Sequence, residues 1–207
     1  MKKLMFAAIF FISSQVFAQH TTKSKSLVTH KSESTGYGAL STVYSKFNGE
    51  HAIFAGAYGG WMINHKLMIG LGGYGLATNH KGFGLNANTH QQNNWQMGYG
   101  GLMVEYTFFG NEIVHFTANT LVGGGIIKNG HGRGTIPENG SDELRDIDAS
   151  GFYVIQPSVS AEVNVTDWFR VGLGAGYRYV AGVDQQGISN SKMSAPTANL
   201  TLKFGIF

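Results

Sequence analysis

The sequence predicts an all-β protein, an eight-stranded antiparallel up-and-down transmembrane β-barrel, on three observations. Apolar and polar residues alternate with period two over repeated stretches, each about as long as a tilted membrane-crossing strand, roughly nine residues. The connections between those stretches alternate between tight turns and longer links. Beyond the first eighteen residues no run of eighteen apolar residues occurs. A spanning helix is therefore not expected, whereas a barrel strand needs only every second residue to be apolar.

Residues 1–18, MKKLMFAAIFFISSQVFA, read as a signal peptide. Lys2 and Lys3 supply the basic start, Leu4 to Ile12 the apolar stretch, and Val16, Phe17 and Ala18 precede a cut before Gln19. Residues 19–35 are polar apart from Leu27 and Val28 and read as a periplasmic lead-in. Residues 36–207 remain for one barrel.

The first strand is expected over Tyr37 to Phe47, followed by the hairpin signal Asn48-Gly49. The second covers Ala52 to Ile63, turning at Asn64 and His65 into a third, Leu67 to Thr78. A polar link, Asn79 to Asn94, leads to the fourth strand, Trp95 to Phe109, and Gly110-Asn111 to the fifth, Ile113 to Ile127. A long insertion, Lys128 to Ser150, precedes the sixth strand, Phe152 to Val165. Thr166 and Asp167 turn the chain into the seventh, Trp168 to Ala181, and Gly182 to Ser194 joins it to the last, Ala195 to Phe207. Tight turns near Asn64, Gly110 and Thr166 alternate with long links, as in outer-membrane barrels with short periplasmic turns and long outer loops. The link at Asn48 is the one short connection on the outer side.

Alternation assigns faces. On the sixth strand Tyr153, Ile155, Val159, Val163 and Val165 oppose Gln156, Ser158, Ser160, Glu162 and Asn164. On the seventh Phe169, Val171, Leu173, Ala175, Tyr177 and Tyr179 oppose Arg170, Arg178 and three glycines. Leu102, Val104, Tyr106 and Phe108 are expected outward, with Met103, Glu105 and Thr107 inward; Val114, Phe116 and Val122 outward, with His115, Thr117 and Asn119 inward. The last strand sets Ile206, Phe204, Leu202, Leu200 and Ala198 against Gly205, Lys203, Thr201 and Asn199. The first three strands give no clear sorting. Trp61, Trp95, Trp168, Tyr106, Phe108, Phe109 and Phe169 fall near strand ends, as an interfacial girdle would. The 30 glycines lie mostly within strands, where an inward glycine leaves room for a larger neighbour.

On these strands, on the sorting of short turns and long loops, and on the terminal LKFGIF, the chain resembles the small outer-membrane β-barrels of the OmpX-like, OmpA transmembrane-domain-like and opacity-type (porin-family) groups. The resemblance covers roughly Tyr37 to Phe207. It implies a closed barrel in the cell outer membrane of a Gram-negative bacterium, inserted by the outer-membrane assembly machinery, for which Phe204 and Phe207 form the assembly signal. It also implies roles in adhesion, resistance to host defence, envelope stabilisation or, more rarely, lipid enzymology. One departure stands out: the apolar residues of the last strand have the opposite parity to Phe207.

Charge and composition narrow the function. Removing the two leader lysines takes the formal charge from +3 to +1, with no basic footprint for nucleic acid. Without cysteine there is no thiol catalysis and no thiolate metal site. Glu105, His115, Glu162, Arg170, Arg178 and Lys203 form a candidate luminal polar network. If residues 164 and 168 face each other across the turn at Thr166, Glu162 lies opposite Arg170; the Gly110 turn likewise pairs Thr107 with His115 and Glu105 with Thr117. An eight-stranded barrel is just wide enough for side chains to fill, so these groups are expected to close the lumen rather than line a pore. No catalytic, cofactor or metal residues are assigned. Ser158, Ser160 and His115 form no nucleophile–base pair, and the other histidines show no ligand spacing. In the long insertion Asp142, Glu143, Asp146 and Asp148, near Arg133 and Arg145, lack the spacing of a calcium loop, and NGHGRG lacks the lysine and hydroxyl of a phosphate loop. These carboxylates read as a solvated charged loop, with a divalent-ion site or a share in the cation layer of surface lipid as the alternatives. The Asn- and Gln-rich links, including Asn86, Asn88, Gln91, Gln92, Gln185 and Gln186, fit a polar contact surface.

The expected function is a structural or surface-interaction role exerted through the outer loops. The partners would be outer-membrane lipid and lipopolysaccharide and a surface or envelope protein, with no nucleic acid. A narrow small-solute channel is the alternative, and a lipid-modifying enzyme a distant third.

Overall fold

The computed structural model describes residues 34–85, 92–130, 148–184 and 187–207. The leader, the lead-in up to residue 33, the insertion residues 131–147 with their Arg and acidic side chains, Asn86, Asn88, Gln91, Gln185 and Gln186 lie outside them, as does the side chain of Asp148.

Among the described residues nine strands form one antiparallel sheet: β1 (Ser34–Phe47), β2 (Glu50–Ile63), β3 (Leu67–Leu76), β4 (His80–Leu85), β5 (Gln92–Phe108), β6 (Val114–Gly130), β7 (Asp148–Thr166), β8 (Phe169–Ala181) and β9 (Ala195–Gly205). β3 pairs with β5 as well as with β2, and β9 pairs with β1, so the sheet closes. β4 continues the line of β3 beyond a break at residues 77–79 and pairs with β5. The closed circuit is therefore the expected eight-stranded up-and-down barrel. One helical turn, α1 (Asn190–Met193), lies in the link between β8 and β9.

Several boundaries move. β1 takes in Ser34 and Thr35, and β6 and β7 extend into the stretch read as an insertion, to Gly130 and from Asp148. Most of the link expected between Asn79 and Asn94 is strand, because β4 and the start of β5 pair there. The third strand stops at Leu76 because the chain bends at residues 77–79. Ala77 donates its N–H to the Ile53 carbonyl at 2.8 Å, and the Thr78 hydroxyl accepts the Ile53 N–H at 3.2 Å.

The connections at residues 64–66, 109–113 and 167–168 gather at one end of the barrel, here the turn end, with the start of β1 and the end of β9. The Asn48-Gly49 hairpin, β4 and α1 mark the other, the loop end. Asn48, Gly49, Asn64 and His65 all have positive φ, the backbone that tight antiparallel turns of matching twist require.

Face assignment holds on every strand for which it was made. Tyr153, Ile155, Val159, Leu173, Leu102, Phe116 and Leu200 are exposed on the wall, and Glu105, His115, Glu162, Arg170, Arg178 and Lys203 are buried inside. The first three strands prove equally regular. Tyr37, Ala39, Val43, Phe47, Phe54, Tyr58, Met62, Met68 and Tyr74 point in, whereas Leu40, Tyr44, Ile53, Trp61, Ile69 and Leu71 point out. Their pattern was illegible because β2 and β3 carry apolar residues or glycine on both faces, so the side of the lumen they line is largely hydrophobic from end to end. Inward glycines make its space, since a Cβ on Gly56 would lie 2.4 Å from the Tyr74 ring and one on Gly125 2.5 Å from the Phe152 ring.

An apolar outside around a partly charged inside inverts a water-soluble protein, and it is the arrangement that lets a closed sheet cross a membrane with no unpaired edge. Trp61, Tyr106, Phe108, Phe109 and Trp168 are exposed near the turn end. Phe169 stacks on Phe204, which stacks on Trp168. Trp95 departs from the expected girdle. It is 2% exposed and points into the barrel, because the strand starts three residues earlier than expected and Trp95 keeps the inward parity of Met97 and Tyr99.

Candidate functional site

The inward faces of β5, β6, β7 and β9 converge at the turn end on two carboxylates. Lys203 on β9 bonds Glu105 on β5 and reaches Glu162 on β7 at 2.6 Å. Tyr37 donates its hydroxyl to Glu105 Oε1 at 2.6 Å, and Tyr58 donates to Oε2 at 3.3 Å. Thr117 donates to Glu162 Oε1 at 2.9 Å, and His115 Nε2 lies 3.2 Å from Glu162 Oε2. His115 Nδ1 has no hydrogen-bond partner among the described residues. A proton on Nε2 donating to the carboxylate fits this contact.

Three expected pairs are corrected. Glu162 faces Gly172, not Arg170, and Arg170 faces Asn164 across the β7–β8 pair and Lys203 across the β8–β9 pair. The cause is an irregularity between Asn164 and Thr166, which lengthens the turn and slides the register by two. Glu105 likewise faces Asn119 and Thr107 faces Thr117, because the turn spans residues 109–113 rather than two residues. His115 meets Glu162 on the next strand instead.

Arg170 lies against an aromatic partner, its guanidinium carbon 3.8 Å from the centroid of the Phe207 ring. That ring also packs on Tyr37 at 5.3 Å. The odd parity of Phe207 thus has a structural sense: it turns inward, away from Phe204, and covers the turn end of the lumen.

Arg178 stands apart from this network, at the loop end. It is fully buried, with its guanidinium carbon 4.2 Å from the centroid of the Phe54 ring. Its Nε donates to the Met193 carbonyl at 3.0 Å and Nη2 to the Lys46 carbonyl at 2.9 Å. These bonds tie α1 and its buried Met193 to the end of β1, helped by Asn48, whose N–H donates to the Lys192 carbonyl at 2.9 Å. The six luminal residues therefore fall into two clusters at opposite ends. The side chains between them include Ser41, Ser160, Asn199, Thr201 and Gln156, which accepts the Tyr99 hydroxyl at 2.7 Å.

A third grouping, at the β3–β4 break, was not anticipated. His80 is buried, with Nδ1 3.0 Å from Glu50 Oε2 and Nε2 2.9 Å from the Thr78 hydroxyl. The order hydroxyl–imidazole–carboxylate resembles a catalytic relay. However, the Thr78 oxygen also accepts the Ile53 N–H, and Glu50 is largely exposed, so the set reads as a clamp holding β4 to β2. Sequence could not have joined residues 50 and 80 without the register of β2 on β3. Among the described residues no group of three or more His, Cys, Asp or Glu could hold a metal ion.

No protein-family model matches the chain, and no curated protein matches it in sequence. Solved structures match in shape. The crystal structure of Neisserial surface protein A aligns with TM-score 0.56 at 10% identity, covering 83% of this chain and 96% of that one. The N-terminal β-barrel domain of Pseudomonas aeruginosa OprF aligns with TM-score 0.48 at 11% identity, covering 82% and 97%. Ail, the attachment invasion locus protein of Yersinia pestis, aligns with TM-score 0.45 at 11% identity, covering 86% and 100%. The likeness is one of fold alone, a closed eight-stranded antiparallel barrel.

Proposed function

We propose that this barrel resides in the bacterial cell outer membrane as a closed, non-enzymatic protein that works through its extracellular loops and its lipid-facing wall. In this reading the turn end faces the periplasm and the loop end the outside. Residues 1–18 direct export, and the assembly machinery reads the last strand, including Phe204 and Phe207. Lipopolysaccharide and a surface or envelope protein meet the loop end.

The observation that carries the reading is closure of the lumen at both ends. Near the periplasm the Glu105–Lys203–Glu162 bridge and the Phe207 ring occupy it, and near the outside Arg178, Phe54 and Met193 do. Ions crossing such an interior would have to displace fully buried side chains, so the polar network serves packing and fold stability rather than transport. The surfaces left for function are outside, and adhesion or envelope contact fits loops that present polar residues.

The test pairs two measurements on the mature protein. In planar bilayers it should show no stepwise conductance, and shortening the links around residues 86–91 and 131–147 should abolish binding to bacterial or host surface material while heat-modifiable gel mobility persists. Steady single-channel openings that disappear in Glu105→Gln or Arg170→Gln would favour the small-solute channel instead.

A further inference from the structure

The outward face of the β1–β2 hairpin carries Thr42, Tyr44, Lys46, His51 and Ile53, with no carboxylate among them. Lys46 and His51 are direct cross-strand partners, both exposed, at the edge of the apolar wall. Below them Leu40, Tyr44 and Ile53 are exposed hydrophobics, so the Lys46–His51 pair sits where hydrocarbon gives way to headgroups.

The imidazole is held in place. The Tyr44 hydroxyl lies 2.5 Å from His51 Nδ1 and the two rings stack, with centroids 5.6 Å apart at 14°. With the phenol donating to Nδ1, the ring proton belongs on Nε2, a donor on the residue directly across the hairpin from Lys46. The Lys46 ammonium has no ion pair or hydrogen bond among the described residues. Its backbone is fixed by the bond from Arg178, and Lys192 is brought against the same hairpin by the Asn48 N–H. The one acid of the hairpin, Glu50, is engaged by His80.

We propose that Lys46 and His51 form a seat for a phosphate of an outer-leaflet lipid headgroup, an inference that rests on the membrane-barrel reading above. A lipid fits better than a free anion because the seat is continuous with the apolar wall. The acyl chains would lie over Leu40, Tyr44 and Ile53 while the phosphate takes the ammonium and the imidazole N–H. A phosphate accepts several charge-assisted hydrogen bonds, and basic groups at a membrane surface each add about fivefold to the affinity for anionic lipid.

The test uses mature protein in detergent, with native mass spectrometry reading adducts of bis-phosphorylated lipid A, its dephosphorylated counterpart and inorganic phosphate. Heat-modifiability is recorded on each sample. The expected result is an adduct with the phosphorylated lipid, several-fold weaker in Lys46→Met and in His51→Gln, and scarcely any with the other two ligands. Tyr44→Phe should weaken it less, because the imidazole stays but loses its orientation. Equal binding of dephosphorylated lipid, binding of inorganic phosphate as tight as that of the lipid, or a heat-modifiable Lys46→Met/His51→Gln protein that binds like the parent would overturn the seat. A parent protein without heat-modifiability would count against the barrel reading itself, which separates the two failures.

Discussion

Lys203 holds one ammonium between the carboxylates of Glu105 and Glu162 in an interior where all three are almost wholly buried. Removing it leaves two like charges without their shared partner. Lys203→Met should destabilise the barrel by about 3–5 kcal/mol, read as a lower urea midpoint in vesicles. Adding Glu162→Gln should restore part of the loss; a double variant no more stable than Lys203→Met would refute the shared-partner account. At this scale the sequence reveals sides but not neighbours. All six ionisable residues lie on the inward face that alternation assigns them. Who touches whom is different, because a shift of two residues keeps every side chain on its face while exchanging its partner. That is why Glu162 finds Lys203, His115 and Thr117 in place of Arg170. Phe207 is a similar case: its parity is visible, but its berth on Arg170 and Tyr37 needs the closed barrel.

Among the elements, the strands were legible where one face is polar and obscure where β1 to β3 line a hydrophobic half-lumen. The β3–β4 break was hidden because it depends on bonds between residues 53, 77 and 78 rather than on a breaker residue. Glycines divide in a way composition cannot show. A Cβ on Gly123 would lie 2.1 Å from the Gly100 carbonyl oxygen, whereas one on Gly75 meets nothing within 4 Å. Gly123→Ala should therefore prevent formation of the heat-modifiable species or cost several times what Gly75→Ala does, with Gly75→Ala within about 0.5 kcal/mol of the parent as for a surface change. Equal behaviour of the two would contradict the close strand approach. The helical turn α1 hangs on Arg178. Arg178→Met keeps much of the packing on Phe54 but deletes both bonds to carbonyls, so residues 187–194 should become cleavable by added protease while the strands stay protected. Unchanged protection would show that Met193 and Ser194 anchor the turn without it.

For the whole molecule, fold class and loop sorting followed from connection lengths, since each strand must return to the opposite face of the membrane. Closure could not be read that way, because it depends on β9 pairing with β1, partners such as Ser41 and Thr201 that lie 160 residues apart. This seam gives the buried ion cluster a consequence for assembly. Lys203 belongs to β9, whose pairing with β1 closes the barrel, and its carboxylates belong to β5 and β7. If β9 docked one residue out of step, Lys203 would face hydrocarbon and two acids would be left unpaired inside, so both errors would be penalised at once. The cluster would act as a checksum on that pairing: a misregistered closure should reopen more easily than the correct one, which alone keeps the ammonium between its carboxylates.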